Sequence, residues 1–301
     1  MAAAVDSPLL PTVNRLNRAS VTKRFEAHRD VAWDAAENEI EPHDPRLCLP
    51  PGHPFAQTSW YRERPAATRA DLGADWICQT FRIGISFESC LSRGLLEFAG
   101  TLPNGSPMYR YAMHEVVEES HHSMMFHEFV RRAGREPHDV SALEQFLQRR
   151  VVQMGRTFPE LFFLCVLSGE VFIDHDNREL LRSDADAVHP LLRRVVQIHV
   201  TEEARHVCFA NAYLREHLPR APAWKKRVIG SLAPSLLARG EELMLRPSPA
   251  IVSKHGIPRT ALAQAFGPTS AYASKVREVV SPIFSLLREC GVDAVAPSRS
   301  R

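Results

Sequence analysis

Residues 108–132 read MYRYAMHEVVEESHHSMMFHEFVRR, and residues 191–218 read LLRRVVQIHVTEEARHVCFANAYLREHL. Each stretch carries a glutamate followed three residues later by a histidine, Glu119 with His122 and Glu203 with His206. On an α-helix that spacing puts both side chains on one face, where they can meet one ion. A single Glu-x-x-His is weak evidence, because a chain of this composition contains such pairs by accident. Here each pair is preceded by a further glutamate in an apolar run: Glu88 in RIGISFESCL, 31 residues before Glu119, and Glu170 in FFLCVLSGEVFI, 33 residues before Glu203. An ionised carboxylate in such a run needs a partner or a metal, since its desolvation is costly. The chain therefore presents one pattern twice. It is the pattern of a four-helix bundle with a dimetal carboxylate site, one glutamate from each of two helices and Glu-x-x-His from each of the other two.

Helix punctuation agrees with four long helices. Of the 22 prolines, only Pro137, Pro159 and Pro190 fall within residues 108–218. Ser106-Pro107 opens a helix that stops at Gly134. Thr157 and Glu160 read as a capping box around Pro159 for the next, and a third runs from Pro190 to Pro219. A fourth precedes them over roughly 68–99. Ser141 with Glu144 caps a shorter crossover helix over 142–154, and outer helices are expected near 222–240 and 272–290. No β-rich stretch is evident. The expected fold is all-α, a ferritin-like four-helix bundle with outer helices and a dimetal site in its core. The expected layout is a flexible segment over 1–24, one domain over 25–292 and a flexible tail over 293–301.

Two details stay open on spacing alone. Glu118 and His121 are also three apart, although only Glu119/His122 makes the first motif parallel to the second, where the motif glutamate again follows a glutamate. Glu118 and Glu202 are then neighbours that hydrogen-bond the ligand histidines and fix their tautomer. His199, four residues before Glu203, shares its stripe and is either a third histidine ligand or a buried histidine bonded to a ligating carboxylate.

Composition excludes several classes. The chain has 301 residues, 45% of them hydrophobic, with 37 Lys+Arg against 35 Asp+Glu. A formal charge of +2 gives no nucleic-acid or membrane-surface footprint. No run is long enough to span a membrane and no secretory leader is recognisable. Cys48, Cys78, Cys90, Cys165, Cys208 and Cys290 are dispersed without a CxxC pair, which reads as reduced thiols of a cytoplasmic protein. A site of carboxylate oxygen and imidazole nitrogen without thiolate favours iron, with manganese as the alternative occupant, over structural zinc. Two irons can share the electrons that O₂ reduction needs, which redox-inert zinc cannot.

With these residues in place, the chain resembles the AurF-like non-haem diiron oxygenases over roughly residues 25–292. That family shows two copies of Glu followed about thirty residues later by Asp-Glu-x-x-His, plus an additional histidine ligand. The resemblance implies that Glu88, Glu119, His122, Glu170, Glu203 and His206 fill the six common metal-ligand places and His199 the seventh. It also implies an O₂-dependent monooxygenase that N-oxygenates an amine or arylamine, through hydroxylamine and nitroso stages to a nitro product. Glu118 and Glu202 stand where the family usually has aspartate. Some members hold an aromatic carboxylate with an arginine on a C-terminal helix, where this chain has Phe284 or Ser285.

The alternative is a diiron oxygenase hydroxylating or desaturating carbon. A ferritin-like iron store or ferroxidase fits less well, because the chain is long and carries the seventh ligand. No GxGxxG fingerprint or cysteine-rich cluster marks a built-in reductase, so an external electron donor is expected, and a homodimer follows from the resemblance.

Overall fold

A computed structural model of the chain describes residues 8–294. The elements in order are α1 (Leu9–Thr22), α2 (Ser59–Arg62), α3 (Ala66–Ala99), α4 (Pro107–Arg132), α5 (Ala142–Thr157), α6 (Pro159–Arg182), α7 (Pro190–His217), α8 (Ala223–Leu245), α9 (Pro249–His255), α10 (Arg259–Phe266) and α11 (Ala271–Glu289), with short 3₁₀ turns between. Among the described residues there is no β-strand. Helices α3 with α4 and α6 with α7 form the two closest pairs, and α4 against α7 and α3 against α6 close the bundle. The crossover α5 packs on α3 and α6, and α8 and α11 cover the α6–α7 side.

Local chemistry sets these boundaries. Pro107 opens α4, and Gly134, at φ 61°, takes the left-handed conformation that ends it. Ser141 and Glu144 form the expected reciprocal capping box of α5. Gly94 and Gly155 let α3 and α5 touch backbone to backbone: a Cβ on Gly155 would lie 2.1 Å from the Gly94 carbonyl oxygen.

Two expectations are corrected. Residues 9–22 of the segment expected to be flexible form α1, whose Leu9, Val13 and Leu16 are buried and whose Asn17 Nδ2 donates to the Pro107 carbonyl. Apolar burial and that bond fix it against α4 and α7. Residues 1–7 and 295–301, most of the expected tail, lie outside the described residues. The capping box at Thr157 and Glu160 does not form. Thr157 is the last residue of α5, Phe158 is the N-cap of α6, and Glu160 instead pairs with Lys225 at 2.8 Å.

The core is divided along the bundle axis. Toward one end, Phe98, Tyr111, Phe163, Phe209 and Tyr213 form an aromatic plug, with ring centroids 4.5 Å apart for Tyr111–Phe209 and 5.1 Å for Phe98–Phe163. Toward the other lies a cavity of about 160 Å³, between the early turns of α3 and α7 and the late turns of α6. The repeated glutamates and histidines occupy the layer between.

Candidate metal centre

The four bundle helices each point a buried carboxylate into that layer: Glu88 from α3, Glu119 from α4, Glu170 from α6 and Glu203 from α7. With His122, His199 and His206 they are all 2% exposed or less. His122 Nδ1 lies 3.1 Å from Glu119 Oε2 and 3.3 Å from Glu203 Oε1. His206 Nδ1 lies 3.1 Å from both Glu203 Oε1 and Glu119 Oε1. Glu119 and Glu203 therefore sit between the two motif histidines, as bridging carboxylates would. His199 Nε2 lies 3.3 Å from Glu88 Oε1 and 3.7 Å from Glu203 Oε1. Glu170, also buried, belongs to neither group of converging ligand atoms, and the carboxylates of Glu203 and Glu119 add to burial in raising its pKa. The structure brings six of the seven sequence-predicted residues, Glu88, Glu119, His122, His199, Glu203 and His206, within contact of one another, and Glu170 is buried on the facing helix α6.

The helices cross-brace each other through the opposite ring nitrogens. His122 Nε2 meets Glu202 Oε2 at 3.0 Å, and His206 Nε2 meets Glu118 Oε2 at 2.8 Å. With Nε2–H donating to these carboxylates, each histidine turns Nδ1 to the centre, the tautomer a metal requires. This is the role expected of Glu118 and Glu202. Arg205, buried between them, is 2.9 Å from Glu118 and 3.3 Å from Glu202.

Three residues escaped the sequence reading. Arg205 lies inside the motif EEARH, of which only the glutamates and the histidine carried the expectation. Asn177, seven residues after Glu170, places its side-chain amide 3.3 Å from His199 Nδ1. Glu115, four residues before Glu119, joins Glu119 and His206 in a group whose ligand atoms lie within 4.8 Å of one another. Its relation to Glu119 is that of His199 to Glu203, a signal present in the sequence. A second group of the same kind comprises Glu88, His122, His199 and Glu203.

These residues fit two cations. Seven buried glutamates, Glu88, Glu115, Glu118, Glu119, Glu170, Glu202 and Glu203, face one buried guanidinium. Glu88 Oε2, Glu115 Oε2 and Glu203 Oε2 have no hydrogen-bond partner. Burial raises Glu88 and Glu170 well above the usual carboxylate range, and neighbouring carboxylates push them further. Burial works against a charged imidazole at His122 and His206, yet the carboxylates around them raise both. The site thus draws in positive charge. His199 is pushed down to about 4, by burial and by His122, and stays neutral and free to ligate. Paired buried groups of this sort are costly without their counter-ions, and the oxygen- and nitrogen-rich donor set suits iron or manganese.

The match of the p-aminobenzoate N-oxygenase AurF family to residues 11–291 decides which dimetal bundle this is. The chain belongs to the AurF family. It is also 34% identical over 259 residues, 86% of this chain and 76% of theirs, to uncharacterized proteins of Mycobacterium bovis and of two strains of Mycobacterium tuberculosis. As an AurF-family protein it is a non-haem diiron oxygenase of ferritin-like helical fold, with two buried His/Glu clusters as its metal-binding groups. No described helix of this AurF-family chain is long and apolar enough to cross a membrane.

Proton and metal compete for these groups, which sets a pH dependence. The raised imidazoles of His122 and His206 stabilise the metal-free fold fully below their unfolded value of 6.5, and this is lost as pH rises through their folded values. Glu115, raised to about 8 by burial and by nearby carboxylates, adds stability that is full below 4.5 and gone above about 8. Glu119, lowered to about 2 by His206 and His122 against the effect of burial, acts in the opposite sense only below 4.5. Metal displaces the protons. The difference in Tm between metal-loaded and metal-free protein is therefore expected to widen steadily from pH 5 to pH 8. A constant difference in calorimetry would contradict this.

Proposed function

We propose that this chain oxygenates the nitrogen of a single-ring arylamine, using O₂ and electrons from a separate donor protein. The observation that carries it is Asn177, which lines the cavity and also touches His199, so a single side chain stands between the cavity and the metal layer. Thr80 and Phe81 lie two turns before Glu88, Ile173 and Asn177 one and two turns after Glu170, and Val196 two turns before Glu203. A cavity of roughly 150 Å³ holds one benzene ring, and this one is about 160 Å³ with largely apolar walls. Its polar end carries Lys275 of α11 beside Asp176 and Glu179 of α6, with Lys275 Nζ 3.7 Å from Asp176 Oδ1.

The seven residues Glu88, Glu119, His122, Glu170, His199, Glu203 and His206 would hold two irons, which supply O₂ binding and electron transfer when bound. The residues of the chain do the rest. Glu119 and Glu203 hold the two positions together, and Glu118, Glu202 and Arg205 fix the motif histidines. Phe81 and Ile173 exclude water from the ring, and Lys275 binds an anionic substituent so that the amine points to His199. The first oxygenation balances as R–NH₂ + O₂ + 2e⁻ + 2H⁺ → R–NHOH + H₂O, with further rounds leading to nitroso and nitro products. One domain running from α1 to Val292 carries this activity. Six free thiols support a cytoplasmic location, and exposed Leu143, Phe146 and Leu147 on α5 support a homodimer.

The test is product analysis: iron-loaded, reduced protein is given O₂ with a panel of single-ring arylamines. Hydroxylamine, nitroso or nitro products are expected, whereas ring-hydroxylated products alone would replace this reading with carbon oxidation. Lys275→Met is expected to raise KM for a carboxylated arylamine about tenfold, a loss of about 1.4 kcal/mol, and to leave a neutral arylamine unaffected. Equal effects on both substrates would remove Lys275 from substrate binding.

A further inference from the structure

The sequence repeat pairs residues across the bundle: Glu88 with Glu170, Glu119 with Glu203, and His122 with His206. Four residues before the motif glutamate it pairs His199 on α7 with Glu115 on α4. On the cavity side, Glu88, His122, His199 and Glu203 converge. Applying the repeat to that group gives Glu170, His206, Glu115 and Glu119. Three of these, Glu115, Glu119 and His206, converge in the structure as the second group. Glu115 is 1% exposed, and its Oε2 has no hydrogen-bond partner. One turn before it, the Tyr111 ring packs on Phe209 in the aromatic plug, which closes that side to solvent. A carboxylate so enclosed needs a cation or a proton, and a Glu115 oxygen lies within 4.8 Å of ligand atoms of both Glu119 and His206.

Resting on the diiron reading above, we propose that Glu115 is a ligand of the second metal, the α4 counterpart of His199. The two positions are then chemically unequal. The one beside the cavity has two imidazoles, His122 and His199. The one beside the plug has His206 alone with carboxylates. Later first-row metals prefer the nitrogen-rich position, and the oxygen-rich position is the more tolerant of manganese. The substrate cavity neighbours the nitrogen-rich position, where its lining residue Asn177 touches His199, so Glu115 serves to hold the distal metal in place.

The experiment is titration of metal-free protein with Co(II), whose visible bands report coordination, in the wild type and in Glu115→Gln, which keeps the volume. Wild type is expected to bind two Co(II) per chain in two steps. Glu115→Gln is expected to bind one as before and the second more than roughly 100-fold more weakly, beyond the usual effect of losing an outer hydrogen-bonding partner. Tyr111→Phe, which alters the same enclosed corner without touching a ligand, is expected to keep both. A crystal structure of Mn(II)-loaded wild type does not depend on how the variant folds. It should show a Glu115 oxygen directly coordinated to the plug-side metal. Two Co(II) bound to Glu115→Gln at wild-type affinity would overturn the assignment, as would a Glu115 carboxylate beyond bonding distance of both metals. A wild type that binds no metal would overturn the diiron reading itself, a separate and distinguishable failure.

Discussion

Glu203→Gln is expected to bind metal more than roughly 100-fold more weakly at both positions and to have no measurable oxygenase turnover, while keeping its helical content. Glu203 Oε1 lies within 4 Å of all three central histidines, at 3.1 Å from His206, 3.3 Å from His122 and 3.7 Å from His199. Its carboxylate is held well below the usual range: burial opposes this, but His206 and His122 outweigh it. A neutral amide of the same shape removes the negative charge shared between the two positions and replaces one carboxylate oxygen with an NH₂ group that only donates and cannot ligate a metal. Elemental analysis of the variant checks it. Two irons per chain in Glu203→Gln would show that Glu203 is not shared between the metals.

Arg205→Met is expected to give the largest loss of stability among single changes near the site, about 3–5 kcal/mol, because it strands two buried carboxylates. Arg205 is the one guanidinium between Glu118 and Glu202, and those two carboxylates hold His206 and His122. The methionine keeps the packing of the arginine stem, so lost charge rather than a cavity causes the effect. Urea denaturation of the metal-free protein at pH 7 measures it, and adding Glu118→Gln to Arg205→Met is expected to recover part of the loss. A midpoint unchanged from wild type would mean that water already serves these carboxylates.

How far the sequence speaks for itself differs from element to element. The four bundle helices were legible because their starts carry proline and their interiors carry the repeated glutamates and histidines. The two groups that fix His122 and His206 were legible too, since Glu118 and Glu202 each precede a motif glutamate. Helix α1 was hidden because its buried stripe mixes Leu9, Val13 and Leu16 with Asn17 and Ser20, which blurs the apolar period. At Thr157 the local capping pattern lost to tertiary pairing, when Glu160 turned to Lys225. The cavity depends on how far apart α3, α6 and α7 stand, a distance no short motif records. Glu115 lay in view, but a search for Glu-x-x-His looks forward from the glutamate and not one turn back.

Two metals shared by the four bundle helices are tested most directly by iron and manganese per chain in the purified protein, by elemental analysis. Two redox metals per chain are expected, falling to none after chelation and returning to two on anaerobic addition of Fe(II). Protein that folds with all its helices but takes up no stoichiometric iron or manganese would contradict this, and the buried carboxylates would then have to be neutralised by protons alone.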